Sequence, residues 1–300
     1  MKILVTGAGG GLGQELARAW ANDDLVLLDR TQLDVTDARH VSEVIPRARP
    51  ELVVHAAAYT KVDQAEAEPD RARAVNVGGS ENVATAAARA GATLVYISTD
   101  YVFDGSKGAP YVETDPPNPL SVYGRTKLEG EAAALSANPR TFVVRTSWLY
   151  SHFGKSFVTT MLRLFAERAA LQRAGQPPPE SLKVVADEVS APTYAGDLAA
   201  ALRQLIETDS YGLYHAASGG ETSWHGFAAE IAAQSGSPVT IEPTTAKAYG
   251  LPAGRPAYSK LNTGKLAALG IVLPDWQDGL RHFFAAQTSP PIPKKDETTP

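Results

Sequence analysis

The stretch Met1-Lys2-Ile3-Leu4-Val5-Thr6-Gly7-Ala8-Gly9-Gly10-Gly11-Leu12-Gly13 decides how the rest of the chain is read. Its apolar run is far too short for a signal peptide and reads as a β-strand; an amphipathic helical pattern over 12–21 follows the glycines. Gly7, Gly10 and Gly13 are spaced G-x-x-G-x-x-G, and Gly9 and Gly11 bare the backbone further. Such a turn needs residues that accept φ > 0 and let an anion approach the main chain. The helix that opens at Leu12 then offers free N–H groups and the positive end of its dipole. Strand, glycine turn and helix in that order predict a dinucleotide pyrophosphate on the turn.

Working outward, short β-branched runs at 25–28, 52–54, 94–97 and 142–144 alternate with Ala-rich helical patterns at 38–45, 70–90 and 121–134. Strands apolar on both faces and separated by helices predict a parallel sheet covered on both sides. The expected fold is α/β, a Rossmann-type doubly wound parallel sheet over residues 1–150, with a smaller C-terminal lobe for substrate. About 191–215 are expected to return to the sheet, 151–190 and 216–286 to build the lobe, and 287–300 to be a disordered tail. Beyond 150, helices are expected at 156–170, 194–207, 224–234 and 259–269, strands at 183–185, 212–215 and 239–241, and a proline-rich loop over 172–180.

Composition narrows the function. The net charge of −5 is dispersed, without the basic stripe a nucleic-acid binder carries. With no cysteine, thiolate catalysis and cysteine-ligated zinc are excluded. No run approaches the roughly 18 apolar residues that span a bilayer, so no membrane association and a cytoplasmic location are expected. No His/Asp/Glu set has ligand spacing, and no metal is expected.

Asp29 and Arg30 end the second strand. An acid there accepts hydrogen bonds from an adenosine ribose and favours NADH, whereas an Arg there holds the 2′-phosphate of NADPH, so both cofactors stay open. Asp34 and Val35 are expected beside the adenine. The small residues Ala56, Ala57 and Ala58, followed by Tyr59 and Thr60, would let the chain pass close to the dinucleotide. Tyr123 and Lys127 form a Y-x-x-x-K pair on one helical face. A cation beside the phenol is expected to lower its pKa from near 10 by roughly 1–3 pH units and make Tyr123 a general acid. Thr99 ends the fourth strand, at the sheet edge where ligands bind, and its hydroxyl can bond a substrate carbonyl.

These residues resemble an extended short-chain dehydrogenase/reductase, within it the dTDP-4-dehydrorhamnose reductase family, from residue 1 to about 285. The likeness is carried by Gly7–Gly13, by Ala58-Tyr59-Thr60-Lys61-Val62-Asp63-Gln64-Ala65-Glu66 and by Ser98-Thr99-Asp100-Tyr101-Val102-Phe103-Asp104-Gly105. It continues through Tyr123–Lys127, Arg145-Thr146-Ser147-Trp148-Leu149-Tyr150, Pro192-Thr193 and Arg255-Pro256 with Ser259 and Leu261. The resemblance implies reduction of the C4 ketone of dTDP-4-dehydro-L-rhamnose, with Tyr123 as proton donor and Lys127 on the nicotinamide ribose. It further implies that Thr60, Val62, Thr99, Asp100, Tyr101, Trp148 and Arg255 meet the nucleotide sugar, and it allows a homodimer. Three departures fall near the sugar: Gly154-Lys155-Ser156-Phe157 where the family often has Gly-x-Asn-Phe, Asp187-Glu188-Val189-Ser190 where it often has Asp-Gln-x-Gly, and a longer 173–180. Tyr101 stands where related dehydratases carry a second acid. Another sugar, epimerisation, or a non-catalytic role like that of the methionine adenosyltransferase regulatory subunit are the alternatives.

Overall fold

The computed structural model describes residues 1–176 and 181–286; the expected tail and the end of the 172–180 loop lie outside the described residues. In chain order, β1 (Lys2–Thr6), α1 (Gly11–Ala19), β2 (Asp24–Leu28), α2 (Ala38–Ala48) and β3 (Leu52–His55) open the fold. The short helices α3 (Val62–Ala67) and α4 (Pro69–Arg73) lead through a π-helical turn (Ala74–Gly78) into α5 (Gly79–Arg89). Then come β4 (Thr93–Thr99), a 3₁₀ turn (Asp100–Val102), α6 (Val122–Ala137), β5 (Thr141–Thr146) and β6 (Leu149–Tyr150). The remainder is α7 (Phe157–Arg173), β7 (Leu182–Val185), β8 (Val189–Ser190), β9 (Thr193–Tyr194), α8 (Ala195–Leu205), β10 (Gly212–His215), β11 (Thr222–Ser223), α9 (Trp224–Ser235), β12 (Ile241–Thr244), α10 (Ala246–Tyr249), α11 (Gly264–Ala267) and α12 (Trp276–Ala286).

Six strands form one parallel sheet in the order β2-β1-β3-β4-β5-β10. Successive strand residues point to opposite faces, and helices cover both. Ile3, Val5, Val54, Val95 and Phe142 pack with α1 and α8 on one face; Leu4, Val53, Leu94, Tyr96 and Val143 pack with α2 and α5 on the other. The chain steps from β1 outward to β2, then returns to lay β3 on the other side of β1. The carboxyl ends of β1 and β3 therefore flank the switch point, where α/β sheets open a crevice. A separate apolar cluster, with Tyr150, Phe165, Phe227, Ile231, Trp276 and Phe283, holds α7, α9 and α12 together.

Several expectations are corrected. The helix expected over 70–90 runs from Pro69 to Arg89 but widens at Ala74–Gly78 into a π turn, which carries Asn76. The helix expected over 259–269 shrinks to α11, because Ser259 donates its backbone N–H to Val189 and Leu261 bridges Tyr111: long-range pairing overrides local helix preference. The strand placed at 239–241 lies instead at Ile241–Thr244, paired in parallel with β7. The loop expected from 172 begins later, α7 continuing to Arg173.

Candidate active site

The glycine turn is forced by close approach. Gly7 has φ +69°, and a Cβ there would lie 2.6 Å from the Ala57 backbone nitrogen. A Cβ on Gly13 would lie 2.6 Å from Ala8 Cα. Only glycine lets β1, the β3 loop and α1 meet this tightly, and α1 begins with no side-chain cap on its first N–H groups. These groups open into a cleft of about 940 Å³ that runs along the carboxyl edge of the sheet. Gly9, Gly10, Gly11 and Leu12 line it at one end, together with Asp29, Arg30, Asp34 and Val35. Ala56, Ala57, Ala58, Tyr59, Thr60 and Val62 form its floor and Thr99, Asp100, Tyr101, Tyr123, Lys127 and Trp148 its far end.

The end of the cleft beside the glycine turn is polar and open. Asp29 Oδ1 accepts from the Thr31 hydroxyl (2.6 Å) and from the Thr31 and Gln32 backbone N–H groups, which hold its carboxyl below the usual range. The other carboxylate oxygen takes no part in these bonds. Arg30 reaches Asp34 at 3.7 Å and is well exposed, a pair that solvent screens. The loop 56–60 is fixed by Asn76, which accepts from the Tyr59 N–H (2.8 Å) and donates to the Tyr59 carbonyl and to Thr126 Oγ1. A dinucleotide fits the bare turn, the free N–H groups and the free carboxylate oxygen.

At the far end, Ser121 caps α6 by accepting from the Gly124 N–H, which sets Tyr123 in the first turn of the helix. Tyr123 shares the cleft wall with Thr99 and meets Tyr101 edge to face at 5.7 Å. The expectation that Lys127 lowers the phenol pKa is overturned. Lys127 Nζ donates to the Ile97 carbonyl at 2.7 Å and sits 4.1 Å from the centre of the Tyr96 ring. Burial dominates both groups, lifting Tyr123 to about 12 and drawing Lys127 down to about 7. Tyr123 is thus held as the neutral phenol. Asp100, also buried, is raised to about 6 by desolvation, opposed by hydrogen bonds from Ser259 (2.5 Å), Thr99 (3.2 Å) and Ser190 (3.5 Å).

Trp148 adopts φ +44°, uncommon for a side-chain-bearing residue, and stacks flat on Trp224 with ring centres 3.6 Å apart. Trp224 Nε1 donates to Glu188 Oε2 at 3.1 Å. Arg255 is the one expected site residue that does not line the cleft: its guanidinium is taken by Asp63, at 3.0 and 2.7 Å. Sequence reasoning missed Asn76 and Trp224, and it quoted Ser190 and Ser259 without foreseeing that both reach Asp100. A lone Asn followed by paired glycines inside an Ala-rich helix, and a Trp directly after the cap Ser223, were the available signals.

With this geometry in view, the comparisons are specific. The family profile described as the RmlD substrate binding domain matches residues 1–289. The dTDP-4-dehydrorhamnose reductase of Aggregatibacter actinomycetemcomitans is 39% identical, covering 95% of this chain and 98% of that protein. That of Sinorhizobium fredii is 40% identical, over 95% and 97%. A solved dTDP-4-dehydrorhamnose reductase from Bacillus anthracis, in complex with NADP, superposes with a TM-score of 0.89 at 39% identity, over 95% and 98% of the two chains.

Proposed function

Because this chain belongs to the RmlD substrate binding domain family, we propose that it reduces the C4 ketone of dTDP-4-dehydro-L-rhamnose to dTDP-L-rhamnose with NADPH or NADH. The observation that carries this reading is the meeting of Tyr123, Thr99 and Lys127 at the carboxyl end of β4, in the cleft that begins at the glycine turn. We assign residues 1–150 and 191–215 to the cofactor and 151–190 with 216–286 to the sugar.

The N–H groups at the start of α1 would hold the cofactor pyrophosphate, and Asp29 the adenosine ribose. The bound cofactor supplies a hydride. Lys127, adjacent to the cleft floor, would bond the nicotinamide ribose. Thr99 steadies the substrate carbonyl oxygen. As the C4 carbon gains the hydride, Tyr123 Oη passes its proton to the oxygen, giving the alcohol and a phenolate. The Thr99 hydroxyl, which donates to Asp100 in the resting protein, would have to turn to that phenolate, and the phenol would be restored by a proton taken up from solvent. A phenol held near pKa 12 stays protonated until the oxygen becomes an alkoxide, which suits a donor. Asp100 and the outer face of Trp148 would contact the sugar, with Thr60, Val62 and Tyr101 beside it. Arg255 would have to leave Asp63 to meet a diphosphate.

The test is turnover of dTDP-4-dehydro-L-rhamnose with either nicotinamide, followed by product stereochemistry. Stoichiometric cofactor oxidation yielding the L-rhamnose nucleotide supports the reading. Interconversion without net oxidation would make the protein an epimerase, and cofactor binding without any turnover would leave a non-catalytic partner.

A further inference from the structure

Away from the cleft, three buried oxygens converge on one point beneath the first turn of α12. Tyr150 Oη, Asp197 Oδ2 and Ser218 Oγ each have no hydrogen-bond partner among the described residues. They come from β6, from α8 and from the segment after β10, so three separate parts of the chain aim a polar atom at the same place. A Cβ built on Gly279 would lie 3.2 Å from Asp197 Oδ2, 3.4 Å from Tyr150 Oη and 3.7 Å from Ser218 Oγ.

None of the three can easily look elsewhere. The Tyr150 ring is fixed among Tyr194, Phe227 and Phe283, with centres 5.3–5.8 Å apart. The other Asp197 oxygen is taken by His282 Nδ1 at 2.8 Å. The Ser218 main chain is engaged on both sides, its N–H to Thr193 Oγ1 and its carbonyl to Lys260 Nζ.

We propose that this point is a binding site for one ordered water molecule. The donor inventory selects water. Two hydroxyls can donate and one carboxylate oxygen can only accept, so a single water accepting twice and donating once satisfies all three. Buried waters typically make about three such bonds. A monovalent cation would satisfy the oxygens but leave both hydroxyl protons unbonded in an apolar surround. Glycine in a helix carries an entropic cost, and at position 279 it keeps the space in front of the oxygens open. The water would tie β6, whose Leu149 and neighbouring Trp148 line the cleft, to α8 and to the segment that follows β10.

A crystal structure of the full chain at a resolution that orders solvent tests this directly. One peak within hydrogen-bond distance of all three oxygens, without anomalous signal after a rubidium soak, is expected. Direct bonding among the three side chains with no peak, or a rubidium peak at the site, would overturn it. In solution, Gly279→Ala should lower Tm by several degrees, and Gly279→Ser should lose less because its hydroxyl can stand in for the water. In a Tyr150→Phe background the Gly279→Ala loss should shrink, the water having already lost a donor. Equal losses for the alanine and serine variants, with full additivity in the double variant, would contradict a shared water. If Gly279→Ala fails to fold, a Ser218→Ala and Tyr150→Phe cycle reads the same coupling.

Discussion

Tyr123 is half-buried against Tyr101 in the cleft that Thr99 also lines, and its proton has one productive destination, the oxygen of a bound ketone. Replacing Tyr123 by Phe leaves the ring packing and removes only that proton. We expect kcat to fall by roughly 10²–10⁴ while the cofactor dissociation constant, measured by fluorescence titration, stays unchanged. At the other end of the cleft, Arg30→Ala should weaken NADPH more than NADH, because only NADPH carries the 2′-phosphate. Equal affinities before and after the change would remove Arg30 from cofactor selection. The positions of Thr99, Tyr123 and Lys127 were legible from spacing and strand order. Their electrostatics were not: that Lys127 spends its proton on the Ile97 carbonyl depends on where β4 and α6 meet, which no local pattern encodes.

The elements that aim these residues are short and depend on particular contacts. The glycine turn was legible because its strand–turn–helix context is local. The π turn was not, since it arises where Asn76 must reach back to Tyr59 and across to Thr126. Likewise 259–262 is held out of a helix by Val189 and Tyr111, far away in sequence, and Ser259 reaches Asp100 only for that reason. Ser121→Ala removes the cap of α6 and should cost about 1 kcal/mol by denaturant unfolding. Because Tyr123 lies in the uncapped turn, kcat should drop as well; unchanged kcat would show that packing alone holds the tyrosine. Gly13→Ala, which drives a methyl into the Ala8 backbone, should abolish cofactor binding more completely than Gly9→Ala, where a Cβ meets nothing closer than 3.4 Å.

For the molecule as a whole, stability should depend on pH through two buried histidines. His55, between Thr6 and Ser80, is held down to about 3 by burial and then by the Lys127 charge; His215 is held down to about 3 by burial and then by Arg145. Between about pH 3 and the ordinary histidine value near 6.5, the unfolded chain binds more protons than the folded one, so stability rises with pH. Each histidine contributes up to about 1.4 kcal/mol per pH unit in that window. Asp100, raised to about 6, acts in the opposite sense between its ordinary value near 3.9 and 6, and offsets one of the two. Thermal midpoints should therefore fall as pH drops from 6.5 toward 4, and His55→Gln should flatten that slope. Such long-range burial was not readable from the sequence, although the sheet that produces it was. The central claim, that this fold carries a hydride to a sugar ketone with Tyr123 as the proton source, is tested most directly by one measurement: transfer of deuterium from 4-deuterated NADPH into C4 of the sugar, by the unaltered chain and by Tyr123→Phe. With both C4 hydrogens of the nicotinamide deuterated, the account predicts one deuterium at C4 of the sugar per cofactor oxidised, transferred roughly 10²–10⁴ more slowly by the variant. Product without deuterium, or an equal rate of labelling by the variant, would contradict it.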